Sequence, residues 1–135
     1  MFRSCSLIFY HPEYGYLLCE EYRKNKLCSH CIGGKCESFD ASLLDTACRE
    51  FMEETSLAIN TQDIQPCIIR HFDITVSKKN KIRHRFYIAD ITKTTVDINN
   101  YRPNGITESI FYYRPNYDSL PSPPSWLLST CIIFL

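Results

Sequence analysis

Two apolar runs near the amino terminus are separated by a turn sequence. The runs are Cys5 to Tyr10 (CSLIFY) and Tyr16 to Tyr22 (YLLCEEY), and residues 11–15 between them read HPEYG. Runs of this length that flank a Pro- and Gly-containing segment predict two strands joined by a turn. Leu27 to Ile32 predicts a short third strand that leads into Gly33-Gly34.

From Asp40 onward the spacing of apolar positions changes to a helical one. Three- and four-residue spacing predicts a helix with one buried face. The recurring positions are Leu43, Leu44, Ala47, Cys48, Phe51 and Thr55. Asp40 or Ser42 can cap its start, since short polar side chains accept hydrogen bonds from the first free N–H groups.

The second half of the chain alternates between apolar runs and polar or proline-rich segments. Ile64 to Val76 and Ile82 to Ile91 flank the polar residues 77–81, which predicts a long hairpin. Glu108 to Tyr113 predicts a further strand. Five of the seven prolines lie between residues 103 and 124, which predicts a loop for the rest of that stretch, and a short helix is predicted from about Pro124. Strands on both sides of one strong helix, with a weaker helix at the end, predict an α/β sandwich.

Composition sets the class of protein but not its purpose. The 135 residues carry 15 basic and 15 acidic side chains, and 44% are hydrophobic. This balance excludes a disordered or collagen-like chain and predicts a single domain over residues 1–135. Zero net charge also argues against a protein whose main role is to coat duplex nucleic acid.

The two ends of the chain bear on its surroundings. The apolar stretch at the amino terminus stops at His11-Pro12 and is too short for a signal peptide, and no apolar run approaches the roughly 18 residues of a membrane span. We therefore expect a cytoplasmic, intracellular protein without a membrane partner. The apolar end CIIFL must pack on the core or on a second subunit, so a homodimer is compatible with the sequence.

Three of the eight cysteines are closely spaced. Cys28, Cys31 and Cys36 resemble half of a zinc site, but no second pair of Cys or His residues follows at a suitable spacing. Free thiols often serve as small core residues in intracellular proteins, and we favour that interpretation. A zinc-stabilised interaction domain remains the alternative.

The acidic residues near the end of the predicted helix carry the strongest chemical signal. At about 100° per residue, Glu50, Glu53 and Glu54 share one flank beside the apolar stripe. Like charges at this spacing destabilise a helix, as does negative charge near its carboxyl end, and only Arg49 offsets them locally. Carboxylate oxygens are ligands for Mg²⁺ or Mn²⁺. A solvated acidic face is the alternative, but the glycine pair before the helix, typical of a close approach or tight turn, favours a pyrophosphate and metal site.

This segment resembles the box of the MutT-like Nudix hydrolase family, G-x5-E-x7-R-E-U-x-E-E-x-G-U, where U is a bulky aliphatic residue. The resemblance covers residues 34–57, and the matching residues are Gly34, Arg49, Glu50, Phe51, Glu53, Glu54 and Leu57. There are three departures. Asp40 stands for the first Glu and is separated from Arg49 by eight residues rather than seven, Ser56 replaces a Gly at the end of the helix, and Phe51 is aromatic.

The resemblance implies a Nudix-type α/β/α sandwich with a mixed sheet between helices. It also implies a Mg²⁺- or Mn²⁺-dependent pyrophosphohydrolase, in which water attacks a phosphorus of a nucleoside diphosphate linked to a group X. The implied metal ligands are Glu50, Glu53, Glu54 and the Gly33 carbonyl. Arg49 would orient the glutamates, and Gly34 and Lys35 would contact the substrate. Glu108 is the first candidate for a further catalytic carboxylate and Asp90 the second.

The role of a basic cluster and the identity of the substrate stay open. Arg83 and Arg85 share a strand face with Lys81 and can bind substrate phosphates or an RNA tail, but we favour the interpretation that they form a solvated hairpin tip. The group X can be a nucleotide, a nucleotide sugar, a dinucleoside polyphosphate or capped RNA. Because the box departs from the family pattern, a weak or inactive nucleotide-binding module is the alternative to an enzyme.

Overall fold

The computed structural model describes residues 1–135 as seven strands and three α-helices. In chain order these are β1 (Phe2–His11), β2 (Gly15–Arg23), β3 (Lys26–His30), β4 (Gly33–Lys35), α1 (Leu43–Thr55), α2 (Thr61–Ile64), β5 (Ile68–Ser77), β6 (Ile82–Asp90), β7 (Ser109–Tyr113) and α3 (Trp126–Cys131). Short 3₁₀ helices cover Gln65–Cys67, Ile91–Lys93, Ile98–Asn100 and Ile132–Phe134. None of the helices has the length and apolar character needed to cross a membrane.

All seven strands form one mixed sheet. Five of them lie in the order β3-β2-β1-β6-β5, while β4 pairs with β1 and β7 pairs with β2. The β1–β6 pair is parallel and every other pair is antiparallel. The predicted hairpin is present as β5 and β6, joined through a polar turn.

The sheet opens into a fork beside β1. Strand β1 pairs with β2 only at Tyr10–Tyr16 and His11–Gly15, and β4 then takes the same edge along Ser4–Ser6. Strand β2 continues instead with β3, from Cys19 onward. The fork, which we define as the gap between the β2/β3 branch and the β1/β4 branch, therefore opens toward the glycine pair that begins β4.

A separate apolar core covers each face of the sheet. On one face, Leu7 and Phe9 of β1 pack with Phe51 of α1, and on the other Ile8 packs with Leu128 of α3. Successive strand residues point to opposite faces, so this alternation requires a layer of helix on both sides. The prediction of an α/β/α sandwich with a mixed sheet is confirmed.

Helix α1 begins and ends at the residues that the sequence pattern predicts. Ser42 is the cap, and its side chain accepts a hydrogen bond from the Asp45 N–H at 3.1 Å. At the other end Ser56 adopts a left-handed conformation with φ 63°, and its N–H donates to the Met52 carbonyl. A non-glycine residue there is strained, and this strain is the physical consequence of the Ser56 departure.

The predicted strand Ile64–Val76 is wrong at its start. Residues 61–67 are helical, because Asn60 caps α2 through the Asp63 N–H and Pro66 has no N–H to give to a strand pair. Strand β5 begins only at Ile68. The short final helix is present, with Ser125 as its cap and Leu128 and Cys131 buried beneath it.

Candidate functional site

Helix α1 carries three acidic side chains that differ sharply in exposure. Glu54 is 5% exposed, whereas the side chains of Glu50 and Glu53 are 16% and 50% exposed. Their positions follow from the helical period, which places Glu54 beside the apolar stripe and Glu53 toward solvent. The predicted acidic flank is therefore present, with one member almost fully buried.

Glu54 lies against the glycine pair at the fork. Its Oε2 accepts a hydrogen bond from the Gly33 N–H at 2.8 Å, and its Oε1 has no hydrogen-bond partner in the chain. Burial, together with the negative charges of Glu21 and Glu50, raises the pKa of Glu54 to about 9. A cation placed here would relieve both effects.

Arg49 ties the acidic flank together. Its guanidinium donates to Glu50 Oε1 at 3.1 Å and to both Glu53 oxygens at 3.1 and 3.2 Å. It also donates to Asp40 at 2.9 and 3.0 Å, a bidentate pair that holds the pKa of the Asp40 carboxyl well below its usual range. Arg49 therefore binds both Glu50 and Glu53 and also holds the loop before α1, while the orienting role that the box resemblance implies stays a prediction.

The Asp40 departure from the box changes the spacing but keeps an acid beside Arg49. Asp40 Oδ2 also accepts from the Glu37 N–H at 2.9 Å and from the Thr46 hydroxyl at 2.8 Å. These bonds close a compact loop that accommodates the extra residue. An aspartate side chain, shorter than glutamate, thus reaches the guanidinium of a residue nine positions further along the chain.

The two glycines are required for different reasons. A methyl group on Gly34 would lie 2.3 Å from Cδ of Glu50, whereas one on Gly33 would lie 2.3 Å from the Cys5 carbonyl oxygen. Gly34 therefore makes room for a carboxylate, and Gly33 makes room for the backbone of the neighbouring strand β1. The prediction that backbone approaches another group closely at this pair is confirmed.

The donor set at this flank suits a hard divalent cation in chemistry but is not closed around one point. No group of three acidic, His or Cys side chains converges closely enough to hold an ion, and Arg49 engages both Glu50 and Glu53. Glu50 Oε2 and Glu54 Oε1 are free of protein hydrogen bonds. Carboxylates with unengaged oxygens fit Mg²⁺ or Mn²⁺, and Glu50 and Glu53 would turn from Arg49 toward the ion.

The predicted substrate-binding residues lie around this flank but face different ways. The Lys35 carbonyl accepts from Arg49 at 2.9 Å, and its side chain is exposed. Arg85 pairs with Cys5, across β1 from Gly34, yet both of its donating nitrogens bind Asp73, at 2.8 and 3.2 Å. Arg83 is half-exposed above the Phe2 ring. Their roles toward substrate stay predictions.

The two candidates for a further carboxylate lie in different places. Asp90 pairs with Tyr10 on β1, five residues beyond the position of Gly34, which is about 16 Å along a strand. It caps a 3₁₀ helix there, so the Asp90 alternative does not fit the site. Glu108 is exposed and follows Thr107, whose hydroxyl donates to the Glu54 carbonyl. Its proposed role stays a prediction.

Sequence reasoning missed Glu21. This residue of β2 is 7% exposed, and its charge contributes to the raised pKa of Glu54. The available signal was the pair of successive acids, Glu20 and Glu21, within an apolar strand. Because neighbouring strand residues face opposite sides, one of the two had to point toward a buried face.

The cysteines pack in the core and do not form a metal site. Cys28 donates to the Glu21 carbonyl, and the sulfur of Cys31 lies 3.6 Å from that of Cys131. Seven of the eight thiols are buried, all are free, and no His and Cys group suitable for a metal is present. The structure supports the packing interpretation over the zinc alternative.

Comparisons with known proteins relate this geometry to a fold. No protein-family model matches the chain, and no curated protein matches it by sequence. Among solved structures, a MutT Nudix hydrolase from Burkholderia pseudomallei matches with a TM-score of 0.64 and 17% identity, over 98% of this chain and 97% of that one. An Ap4A hydrolase from C. elegans matches with a TM-score of 0.56 and 16% identity, over 81% and 77%.

A third structure is much longer than this chain. A bifunctional NMN adenylyltransferase/ADP ribose pyrophosphatase from Francisella tularensis, complexed with AMP and a Mn ion, matches with a TM-score of 0.64 and 9% identity. The match covers 84% of this chain but only 34% of that protein. Together with the mixed sheet between α1 and α3, these likenesses show that the chain has the fold of the Nudix hydrolases.

Proposed function

We propose that this protein is a Mg²⁺- or Mn²⁺-dependent pyrophosphohydrolase that cleaves a nucleoside diphosphate linked to another group. The observation that carries the proposal is the buried Glu54 carboxyl, held at 2.8 Å by the Gly33 N–H beside two further glutamates. Burying an acid of this kind is unfavourable for folding alone, and a divalent cation with a diphosphate accounts for it.

The chain's own residues have separate tasks in this proposal. Glu50, Glu53 and Glu54 would hold the cation, which when bound neutralises charge on the diphosphate and lowers the pKa of a water molecule. Arg49 orients Glu50 and Glu53 and is itself fixed by Asp40. Gly34 lets the backbone approach the Glu50 carboxylate, and the exposed Glu108 is the candidate to take a proton from the attacking water.

A nucleotide-binding module without turnover is the second candidate. Two observations favour it: Arg49 occupies oxygens of both Glu50 and Glu53, and the Ser56 conformation strains the end of α1. Such a module would bind a nucleotide at the same flank. Calorimetry that detects nucleotide binding, together with no product under either metal, would select this candidate.

The test is a panel of nucleotides incubated with Mg²⁺ or Mn²⁺. The panel contains nucleoside triphosphates, ADP-ribose, a nucleotide sugar, a dinucleoside polyphosphate and capped RNA. We expect metal-dependent release of a nucleoside monophosphate from at least one member. The double variant Glu53→Gln plus Glu54→Gln should lose this activity, because amides are poor ligands for a hard cation.

Matched controls separate the loss of chemistry from the loss of fold. At neutral pH the Glu54 carboxyl keeps its proton, so the amide introduced by Glu54→Gln reproduces its shape and can still accept from Gly33. Glu13, in the exposed β1–β2 turn, provides a control substitution, Glu13→Gln, that should leave activity unchanged. Activity that survives the double variant would contradict the assignment of the metal site.

A further inference from the structure

Glu21 is a buried acid that the proposed reaction leaves without a role. Its side chain is 9% exposed, and one oxygen, Oε1, accepts from Arg23 at 2.7 Å and lies 3.3 Å from His30 Nε2. The other oxygen, Oε2, has no hydrogen-bond partner in the chain. A carboxylate at this depth is costly unless something positive completes its surroundings, and the Arg23 side chain is itself 55% exposed.

The strand geometry points Glu21 toward the α1 face of the sheet. Leu17 and Cys19, four and two residues earlier on β2, belong to the core beneath α1, and strand residues two apart share a face. Glu20 faces the other way, and its Oε1 accepts from the Ser109 hydroxyl at 2.9 Å. The two neighbouring acids therefore differ in the face they occupy and in their surroundings.

Glu21 and Glu54 lie on opposite sides of the fork. Glu21 belongs to the β2/β3 branch, whereas Glu54 is bonded to Gly33 at the start of β4. Two hydrogen bonds from consecutive loop residues bring the elements that carry these carboxyls together: the Thr107 hydroxyl donates to the Glu54 carbonyl at 2.6 Å, and the Glu108 N–H donates to the carbonyl of Glu20, next to Glu21, at 2.9 Å. Each keeps one oxygen without a protein partner.

A hydrogen-bonded chain that ends at helix α3 holds the Oε1 side of the Glu21 carboxyl. His30 Nδ1 lies 2.5 Å from the Ser125 hydroxyl, and Ser125 caps helix α3. Burial lowers the pKa of His30 to about 3, so this histidine is neutral and does not balance the charge of Glu21. The network orients Oε1 and leaves Oε2 available to a ligand.

We propose that Glu21 is a further ligand for the divalent cation of the α1 site, reaching it across the fork from β2. This inference rests on the proposed function, since it assumes the cation that Glu50, Glu53 and Glu54 would hold. The ligand is a hard cation with oxygen donors, Mg²⁺ or Mn²⁺. The competing explanation is structural: Glu21 would only connect Arg23 and His30 to the end of α3.

Manganese affinity measured without nucleotide separates the two explanations. Free Mn²⁺ is counted by electron paramagnetic resonance in titrations of the wild type, Glu21→Gln and Glu20→Gln. The Glu21→Gln variant keeps an acceptor for Arg23 but loses the charge, so we expect Mn²⁺ binding to weaken by about tenfold or more. Glu20→Gln, on the same strand but the other face, should bind Mn²⁺ as the wild type does.

The outcomes are distinct. Wild-type Mn²⁺ affinity in Glu21→Gln, with a lowered melting temperature, would establish the structural explanation and overturn the inference while leaving the proposed function intact. A wild type that binds no Mn²⁺ would overturn both. If Glu21→Gln does not fold, the carboxyl ¹³C resonance of Glu21 in the wild type should shift with Mg²⁺ at the same midpoint as that of Glu54, and an unmoved resonance would refute the inference.

Discussion

Replacing Gly34 with alanine should reduce activity while preserving the fold. The added methyl group would lie 2.3 Å from Cδ of Glu50 and 2.5 and 2.6 Å from its two oxygens, whereas ordinary contacts begin at 3.4 Å. The carboxylate must therefore move by about 1 Å, and a displacement of that size can cost about a hundredfold in rate. The end of a glutamate side chain moves easily, so the stability of the fold should change little.

Gly33→Ala is the matched control, since the neighbouring residue meets backbone instead. Its methyl group would lie 2.3 Å from the Cys5 carbonyl oxygen and 2.7 Å from the Ser6 Cα, both on β1. Overpacking against backbone that cannot yield costs about 1–3 kcal/mol or more. Gly33→Ala should therefore lower the melting temperature by several degrees, whereas Gly34→Ala should not.

The assay combines two measurements on each variant. Values of kcat/KM for the best substrate of the nucleotide panel report the position of Glu50, and circular dichroism melting reports the fold. Wild-type kcat/KM in Gly34→Ala would refute the argument that Glu50 acts from this position. A melting temperature lowered as far as that of Gly33→Ala would refute the steric reasoning.

Two further predictions concern charge at the same flank. Arg49→Lys should lower both kcat/KM and the melting temperature. Lysine cannot reproduce the bidentate bond to Asp40 together with the contacts to Glu50 and Glu53. A variant with the kcat/KM and melting temperature of the wild type would contradict this prediction. The pKa of Glu54 is raised to about 9 in the folded protein, whereas its ordinary value of 4.5 applies to the unfolded chain. Between these two values the folded protein keeps a proton on Glu54 that the unfolded chain has lost. Metal-free protein should therefore melt at progressively lower temperature between about pH 6 and pH 9, and Glu54→Gln should reduce this slope; an equal slope in both proteins would contradict the assignment.

Much of the fold follows from local patterns in the sequence. Helix α1 was predictable from its apolar period and its Ser42 cap, and the β5–β6 hairpin from two runs around a polar turn. The segment 61–67 was not, because Ile64 and Ile68 continue an apolar run whose helical start depends on the Asn60 cap. Short helices of this kind leave almost no periodicity to detect.

The site was predictable only where it lies on one element. Glu50, Glu53 and Glu54 share α1, so helical geometry alone brings them together. The fork and the position of Glu21 beside it depend on where β2 separates from β1 and β4 takes its place. That point is set by tertiary pairing between residues far apart in the chain. Asp90 lies on a strand that the sequence predicts, but its distance from the site depends on the register between β6 and β1. No local pattern fixes that register.

Whether this acidic flank hydrolyses a nucleoside diphosphate linkage, as we propose, can be tested in a single measurement. The nucleotide panel is incubated with the protein and Mg²⁺ or Mn²⁺ in ¹⁸O-labelled water and followed by ³¹P nuclear magnetic resonance. We expect metal-dependent cleavage of at least one nucleotide, with the label in one phosphate product, and no cleavage by Glu53→Gln plus Glu54→Gln. Intact nucleotides throughout the panel, or equal cleavage by the double variant, would contradict it.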